Sequence, residues 1–270
     1  MSGLKGVYTD IKKNGQKNYR ASLTIQRKHI SLGSYSTEKK AANAYEYAKK
    51  LLTNDNRIQD YKKSCPLSFE KYVSLINLRD NKIYISKPIY LENRYFIYFY
   101  SPTVSYKFDL DDLFYFSSHK LIKRGNHLCV AEYGLQTSVN ERFGIRPFSV
   151  AGRDYLFING DTYDYRRENL KIINRYFGVQ KKEGKYLSEY ITHININGRF
   201  LVGKYDTEAE AAIAYNKAAD LLKSAGFKKQ YTQNYIDSIS AKEYAEIYTN
   251  VTISEKILIL TNSQPDKDQN

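Results

Sequence analysis

The sequence has no tryptophan, one methionine and two cysteines among its 270 residues, and it lacks any long apolar run. Without about 18 consecutive apolar residues, a transmembrane helix is excluded. The polar segment 1–12 lacks the apolar stretch of a secretory signal peptide. Cys65 and Cys129 are too few for a disulfide framework. We therefore expect no membrane partner and an intracellular location: the cytoplasm or nucleoid in a bacterium, the nucleus in a eukaryote.

Signatures of small-molecule chemistry are also missing. The chain has neither a glycine-rich phosphate loop nor a Ser-His-Asp candidate. His119, His127 and Cys129 have a spacing that matches no zinc site. We therefore predict no cofactor, no metal and no small-molecule substrate, and we make no prediction of oligomeric state.

Positive charge is abundant and unevenly distributed. Lys and Arg number 42 against 29 Asp and Glu, a net charge of +13. Residues 1–63 hold 14 basic and 5 acidic residues, a net of +9. Such an excess favours a polyanionic partner, most often nucleic acid. General solubility, or a lysine excess from an AT-rich genome, is the alternative, and the 27 tyrosines fit it. The uneven distribution favours a binding surface.

The chain contains an internal repeat. Residues 32–52 and 202–222 are identical at 11 of 21 positions, with an offset of 170. The similarity extends upstream to Gly6 and Gly178, and downstream to Tyr72 and Tyr244. We therefore predict two related modules, residues 1–80 and 176–260, each with a helical extension. They flank a central domain, 81–175, and precede a disordered tail, 261–270.

Each module is predicted to contain three strands and a helix. Alternating polarity marks strands around residues 20–26 and 191–196. Asn197-Gly198 predicts a type I′ hairpin before a third strand, 199–205. Thr37 and Thr207 are the expected helix N-caps. Glu210 completes a capping box only in the second copy, because Lys40 occupies the corresponding position in the first. An alanine-rich helix stripe predicts close packing on the sheet.

The uncovered face of each sheet is the predicted binding surface, because its side chains are mostly hydrogen-bond donors and cations. A sheet can enter the major groove, where Lys and Arg contact phosphates and Asn, Gln and Arg contact bases. An ordinary solvated face is the alternative. The candidates in the first copy are Tyr8, Lys12, Arg20, Ser22, Thr24, Lys28, His29 and Ser31. Those in the second copy are Gln180, Lys182, His193, Asn195, Arg199 and Leu201.

At these residues the modules resemble the AP2/ERF DNA-binding domain. The matching segments begin with GVY and GVQ and end with GSYSTEKKAANAYEYAKKLL and GKYDTEAEAAIAYNKAADLL. The resemblance covers roughly 50 residues in each copy. It implies a three-stranded sheet, backed by a helix, that docks in the major groove of double-stranded DNA. Tyr8 or Gln180 replaces the Arg of Gly-Val-Arg, and the family's tryptophans are missing, so base preference is not transferred.

The central domain contains two recognisable segments. Residues 82–100 are rich in Ile, Tyr and Phe and predict a hairpin or small sheet whose aromatic residues form a core; stacking on bases is the alternative. Residues 148–173 resemble the HNH motif of homing endonucleases, matching at positions from Ile158 to Leu170. Leu156 and Phe157, however, replace the metal-binding Asp and the general-base His, and Tyr165 replaces an Asn.

That replacement predicts an inactive nuclease scaffold, because phosphodiester hydrolysis of this kind needs a base and a cation. Asn169, which would orient the His, keeps only a structural role. We expect Asp154 and Asp161 to be solvated surface residues. The arginines of this segment remain candidates for phosphate contacts: Arg153, Arg166 and Arg167.

The sequence therefore predicts an α+β protein with two AP2/ERF-like modules around a degenerate HNH-like centre. We expect a non-catalytic, sequence-specific binder of double-stranded DNA that regulates transcription or a mobile element. The first module should give most of the salt-dependent affinity, and the second relatively more selectivity. Two alternatives remain open. One is an active endonuclease using Asp154, Asp161 and Asn169. The other is an RNA-binding or structural nucleoprotein component.

Overall fold

The computed structural model describes residues 4–11, 15–25, 27–125, 127–132, 134–184 and 186–262. The fold is α+β and combines helices with several small three-stranded antiparallel sheets. The chain forms two compact units. The first comprises Met1–Val139 and Asn159–Leu170, and the second comprises Asn140–Ile158 and Lys171–Asn270. The predicted central domain, 81–175, is thus divided between the two units.

The first copy of the repeat lies in the first unit. Strands β1 (Val7–Ile11), β2 (Lys17–Ile25) and β3 (Lys28–Tyr35) form an antiparallel sheet in that order, and helix α1 (Glu38–Leu51) packs on one face. Helix α2 (Phe69–Asn81) follows, with Ser68 as its N-cap. Strand β2 and helix α1 confirm the strand predicted around residues 20–26 and the helix predicted to begin after Thr37. The apolar side chains of strand and helix share one buried core: Val7, Ala21, Leu23, Ile30, Leu32, Ala41, Ala44, Tyr45 and Ala48.

The rest of the first unit has an aromatic core. Its elements are β4 (Ile89–Leu91), β5 (Tyr95–Ser101), β6 (Val104–Asp109), α3 (Leu113–Ser118), β7 (Lys120–Arg124), β8 (His127–Glu132) and β9 (Leu135–Ser138). Strands β4–β6 form one sheet and β7–β9 another. Phe96, Phe108 and Phe116 are fully buried, and the rings of Phe108 and Phe116 stack with centroids 4.1 Å apart. The expectation that aromatic residues of 82–100 form a core is confirmed for Phe96 and Tyr98, which are both buried.

The second copy lies in the second unit. The elements here are α4 (Val139–Arg142), β10 (Tyr155–Phe157), β11 (Leu170–Ile172), β12 (Val179–Glu183), β13 (Ser188–Asn195), β14 (Arg199–Tyr205), α5 (Glu208–Ser224), α6 (Ala241–Asn250) and α7 (Glu255–Asn262). Helix α5 packs on the β12–β13–β14 sheet, and α6 and α7 pack against α5. Helix α7 includes Thr261 and Asn262, so the predicted disordered tail does not begin at 261. Residues 263–270 lie outside the described part of the chain.

The two copies share an irregularity that the sequence pattern did not predict. In the first sheet, Ala21 pairs with Gly33 but Ser22 pairs with Ser31, so β3 bulges at Leu32. In the second sheet, Thr192 pairs with Gly203 but His193 pairs with Leu201, so β14 bulges at Val202. Because the bulge occupies the same repeat position in both sheets, the duplication extends to the backbone geometry.

Paired glycines explain part of the repeat identity. Gly6 has a φ of +75° and lies against the Tyr45 ring, which a Cβ atom would overlap. Gly178 has the same φ and the same relation to Tyr215. In both copies the carbonyl of this glycine accepts a hydrogen bond from the central strand. Both copies therefore contain the same glycine–tyrosine pair, because the tyrosine ring fills the space that a side chain at the glycine would need.

The helix caps form as predicted from the sequence, whereas one predicted turn does not form. Thr37 Oγ1 accepts the Lys40 N–H at 3.2 Å, and Thr207 and Glu210 form the predicted capping box. Asn195 pairs with Arg199, leaving a three-residue loop, 196–198. Gly198 has a φ of +150°, whereas Asn197 does not have positive φ. The type I′ prediction is therefore wrong, because that turn needs positive φ at both central residues.

Candidate nucleic-acid interface

The first sheet has one face covered by α1 and one open face. By register, Tyr8 lies beside Arg20, Thr24 beside His29, and Ser22 beside Ser31. Tyr8, Arg20, Thr24, His29 and Ser31 are exposed, as predicted from their alternation along the strands. Lys12, the remaining candidate on β1's side of the module, lies outside the described residues.

Ser22 is on the open face but is not accessible. Its relative exposure is 6%. The Tyr8 and His29 rings, which lie diagonally on either side of Ser22, meet edge-on with centroids 6.5 Å apart. Large residues on both edge strands thus cover the small residue on the central strand. The expectation that Ser22 is an exposed contact residue is wrong, and Tyr8 and His29 form the surface there.

Arg20 is not a free cation on this face. Its guanidinium forms an ion pair with the Asp10 carboxylate on the neighbouring strand, and both side chains are largely exposed. An exposed pair of this kind adds little stability, but it cancels the local charge. The open face of the first sheet is therefore less basic than the net charge of residues 1–63 implied.

Lys28 lies on the other side of the first sheet. Alternation along β3 places Lys28 with the buried Ile30 and Leu32 rather than with His29, and its Nζ atom is 5.9 Å from the centre of the Tyr84 ring. The prediction that Lys28 lies on the DNA-contacting face is therefore wrong. Much of the remaining charge of the first copy is on the exposed surface of α1: Lys39, Lys40, Lys49 and Lys50.

The open face of the second sheet carries a connected polar cluster. Arg199 Nη2 donates a hydrogen bond to Gln180 Oε1 at 2.6 Å and lies 3.2 Å from His193 Nδ1. Burial and the positive charge of Arg199 together lower the pKa of His193 from 6.5. The imidazole is thus neutral at pH 7, and its Nδ1 atom can accept from the guanidinium. Register places Asn195 beside Arg199.

Other members of this face complete its chemistry. Lys182, Asn195 and Leu201 are exposed. Lys204 lies on the same face, with its Nζ atom 3.4 Å from a Glu189 carboxylate oxygen. Sequence reasoning missed Asp10, Glu189 and Lys204. Alternation along the predicted strands was the available signal for Asp10 and Glu189, since each falls in phase with a residue that was assigned to the open face. Lys204 is out of phase with Arg199 and Leu201 and lies on the open face because β14 bulges at Val202.

The three arginines of the HNH-like segment each bind a buried aspartate. In the first unit, Arg166 bonds to Asp164 at 2.6 Å and Arg167 to Asp112 at 3.0 Å. In the second unit, Arg153 bonds to Asp154 at 2.7 Å. Hydrogen bonding to Asp164 raises the pKa of Arg166. These arginines therefore neutralise buried carboxylates, a structural task that the phosphate-contact hypothesis did not anticipate.

Asp154 is fully buried, so the expectation of a solvated surface residue is wrong. Its carboxylate accepts from Arg146 at 3.0 Å, Arg153 at 2.7 Å, the Val150 N–H at 2.8 Å and Asn174 at 3.0 Å. Burial alone would raise the pKa of Asp154, but these donors outweigh burial and hold the pKa below its usual value. The Asp154 carboxylate therefore has a structural role, because its hydrogen bonds join the surrounding segments.

Asp161 and Asn169 also have partners in the first unit. An oxygen of Asp161 lies 3.0 Å from Lys107 Nζ. The Asn169 carboxamide accepts the Asn159 N–H at 2.7 Å and donates to the Asp164 carbonyl at 2.8 Å. Within the described part of the chain, no three His, Cys, Asp or Glu side chains are grouped as metal ligands. No helix in that part is long and apolar enough to cross a bilayer.

Comparisons of the chain with protein-family models, with curated proteins and with solved structures gave no match. The geometry of the two sheets and the chemistry of their open faces are therefore the basis for assigning a function.

Proposed function

We propose that this chain is a non-catalytic, sequence-specific binder of double-stranded DNA. The supporting observation is the cluster of Arg199, Gln180 and His193 on the open face of the second sheet, with Asn195 in the neighbouring register position. Arg, Gln and Asn are the side chains that form paired hydrogen bonds with guanine and adenine in the major groove. A net charge of +13 supplies the attraction to a polyanion.

The second sheet is the main reader in this proposal. Lys182 contacts the phosphate backbone, while Asn195 and Arg199 contact base edges. In the first sheet, Tyr8, Thr24 and His29 make the equivalent approach. Because Arg20 is paired with Asp10, the first sheet contributes less binding free energy than the charge of its module predicts. Two readers on one chain raise the overall affinity through linkage.

The absence of catalysis follows from the residues at the HNH-like positions. Leu156 and Phe157 cannot take up a proton or bind a cation. Asp154, the acidic residue closest to them in sequence, already accepts five hydrogen bonds, two of them from Arg153. The resemblances to AP2/ERF modules and HNH motifs fit a regulator of transcription or of a mobile element that derives from a homing endonuclease.

A selection experiment tests the proposal directly. The purified full chain is incubated with a random-sequence duplex library and Mg²⁺, and the bound DNA is sequenced and scored for cut ends. We expect an enriched motif with intact ends. Cut ends at the motif would instead identify an endonuclease. Absence of enrichment, together with stronger competition by RNA than by duplex DNA, would identify an RNA-binding protein.

A variant distinguishes the proposed surface from other parts of the chain. Asn195→Ala combined with Arg199→Ala should change or abolish the selected motif, because both base-reading side chains are removed. Lys39→Ala combined with Lys40→Ala is the control on the exposed side of α1 and should leave the motif unchanged. The opposite pattern would place the DNA-reading surface on the helix and overturn the proposal.

A further inference from the structure

One loop of the second unit presents an unusual aromatic side chain. Phe148 is 88% exposed and has a φ of +64°. Positive φ is disfavoured for a bulky side chain, because its Cβ atom crowds the backbone. Exposure of a phenyl ring to water is also unfavourable. The backbone conformation and the exposed ring of Phe148 are therefore both unfavourable in free energy. Packing does not compensate for them, because the ring is not buried.

The loop is held in place from both sides of Phe148. The buried Asp154 carboxylate accepts from Arg146, two residues before Phe148, and from the Val150 N–H, two residues after it. The Asp154 N–H also donates to the Val150 carbonyl at 2.8 Å. Since one buried carboxylate fixes both flanks, the exposed ring stands on an ordered loop.

The two residues that follow Phe148 are also unusual. The Ser149 hydroxyl is buried and has no hydrogen-bond partner among the described residues. The Val150 side chain is 49% exposed, so two apolar side chains project from three consecutive positions. A buried unpaired hydroxyl and a strained backbone both lower stability. Such features cluster at functional sites, where the function of the segment offsets their cost.

The same hydrogen-bond network ties the loop to the second sheet. Asn174 Nδ2 donates to the Asp154 carboxylate and to the Arg153 carbonyl, both at 3.0 Å. Asn174 Oδ1 accepts the Lys181 N–H at 2.7 Å, and Lys181 is a residue of β12 between the candidates Gln180 and Lys182. One carboxamide thus connects the anchor of the Phe148 loop to a strand of the proposed DNA-reading sheet.

We propose that Phe148 is an apolar wedge that inserts between base pairs when the second sheet engages double-stranded DNA. This inference rests on the proposed function. Partial insertion of an apolar side chain between base steps unstacks and unwinds the duplex, and it removes the exposed ring from water. Val150 then contacts the adjoining sugar surface.

Local charge favours nucleic acid as the occupant. The segments that carry and anchor the loop, 140–158 and 171–176, contain five basic and two acidic residues. The Arg153 guanidinium, five positions from Phe148, is half exposed while it holds Asp154. A phenyl ring on a loop whose supporting segments hold more basic than acidic residues suits a stacked, polyanionic partner better than an apolar protein surface.

A topological assay tests the wedge without knowledge of the target sequence. Relaxed circular plasmid is incubated with the full chain and topoisomerase I, and the topoisomers are then separated after protein removal. Wild-type protein should shift the linking number through local unwinding, whereas Phe148→Ala should not. Phe114→Ala is the matched control: it removes an 89% exposed phenyl ring from the first unit and should behave like wild type.

Binding and stability measurements separate the possible outcomes. Phe148→Ala should bind a fluorescein-labelled 40-base-pair duplex about tenfold more weakly than wild type. Phe148→Gly should lose the topological shift but gain thermal stability, because glycine tolerates positive φ. That gain shows that loss of the shift does not come from unfolding.

Three results would overturn the wedge. The first is an unchanged linking-number shift in Phe148→Ala with duplex binding intact, which rejects the wedge but leaves the proposed function standing. The second is failure of wild-type protein to bind any duplex, which rejects both. The third is conversion of a dimer to a monomer by Phe148→Ala, seen by sedimentation, with unchanged DNA binding. That result would identify the ring as a contact between two copies of the chain.

Discussion

The Arg199 guanidinium donates to Gln180 Oε1 at 2.6 Å, joining the two edge strands of the second sheet across its central strand. The equivalent positions in the first sheet are His29 and Tyr8, whose rings also meet across the central strand. A side chain on each edge strand thus orients its counterpart in both copies. In the proposed function, this arrangement holds a contact residue in position before DNA arrives and lowers the entropic cost of binding.

Removal of the Arg199 side chain should weaken binding to the selected duplex. Loss of a paired contact with a base costs about 1–3 kcal/mol, so we expect Arg199→Ala to raise Kd by about tenfold or more and to relax selectivity at one position. Fluorescence anisotropy with matched and mismatched duplexes measures both effects. Lys242→Ala removes an exposed cation from helix α6 of the same unit and should change Kd little. Equal losses in the two variants would contradict a specific role.

Removal of the Asp10 carboxylate should strengthen DNA binding. Asp10→Asn leaves Arg20 unpaired on the open face, where its charge becomes available to a phosphate. We expect tighter binding and a slope of log Kd against log salt that is steeper by about 0.9. Titrations at several salt concentrations provide the slope. Asp55→Asn makes the same charge change elsewhere in the first unit, and a comparable gain there would show a non-specific charge effect.

His193 should make stability depend on pH. Its pKa is lowered from 6.5 in the folded protein, by burial first and by the Arg199 charge second, so the unfolded chain binds the proton more readily. Stability from this group is therefore complete above pH 6.5 and falls as the pH drops below that value. Thermal unfolding from pH 7.5 to 5.0 should show a smaller loss for His193→Gln than for wild type. Identical profiles would exclude this contribution.

The Gly6–Tyr45 contact should be essential to the first module. Gly6→Ala places a Cβ atom inside the Tyr45 ring, whereas Gly15→Ala, at a similar positive φ, meets nothing within 4 Å. We expect about 1 kcal/mol of destabilisation from Gly15→Ala through backbone strain alone. Gly6→Ala should cost about 1–3 kcal/mol more because the ring has to move. Urea unfolding of both variants measures the difference, and equal costs would show that the ring moves without penalty.

Asp154 should be required for stability. Asp154→Ala leaves the largely buried Arg146 without its carboxylate partner, which should cost about 3–5 kcal/mol. Asp161→Ala removes a partly exposed partner of Lys107 and should cost at most about 1 kcal/mol. Chemical denaturation gives both values. If Asp154→Ala folded with wild-type stability and altered DNA cleavage instead, the residue would belong to a nuclease site.

Local periodicity predicted the strands, the helices and the caps of both copies because these depend on neighbours in sequence. Thr207 and Glu210 are an example, since their capping box needs only a four-residue segment. The solvent accessibility of individual side chains was less predictable. Ser22 is covered by two rings that come from the strands on either side, and Asp154 is buried by donors up to twenty residues away. Such properties depend on the size and position of side chains that pack together only after the chain has folded.

The matching bulges at Leu32 and Val202 show that both copies have kept one backbone, yet their open faces share no residue at the paired positions. Tyr8 corresponds to Gln180, Thr24 to Asn195, and His29 to Arg199. A homodimer of identical DNA-binding modules would favour a palindrome, whereas in the proposed function this chain joins two dissimilar DNA-binding modules in a fixed order. Its target should therefore consist of two unlike half-sites, and the bound protein should have a direction along the DNA. That polarity would let it distinguish upstream from downstream without a second protein.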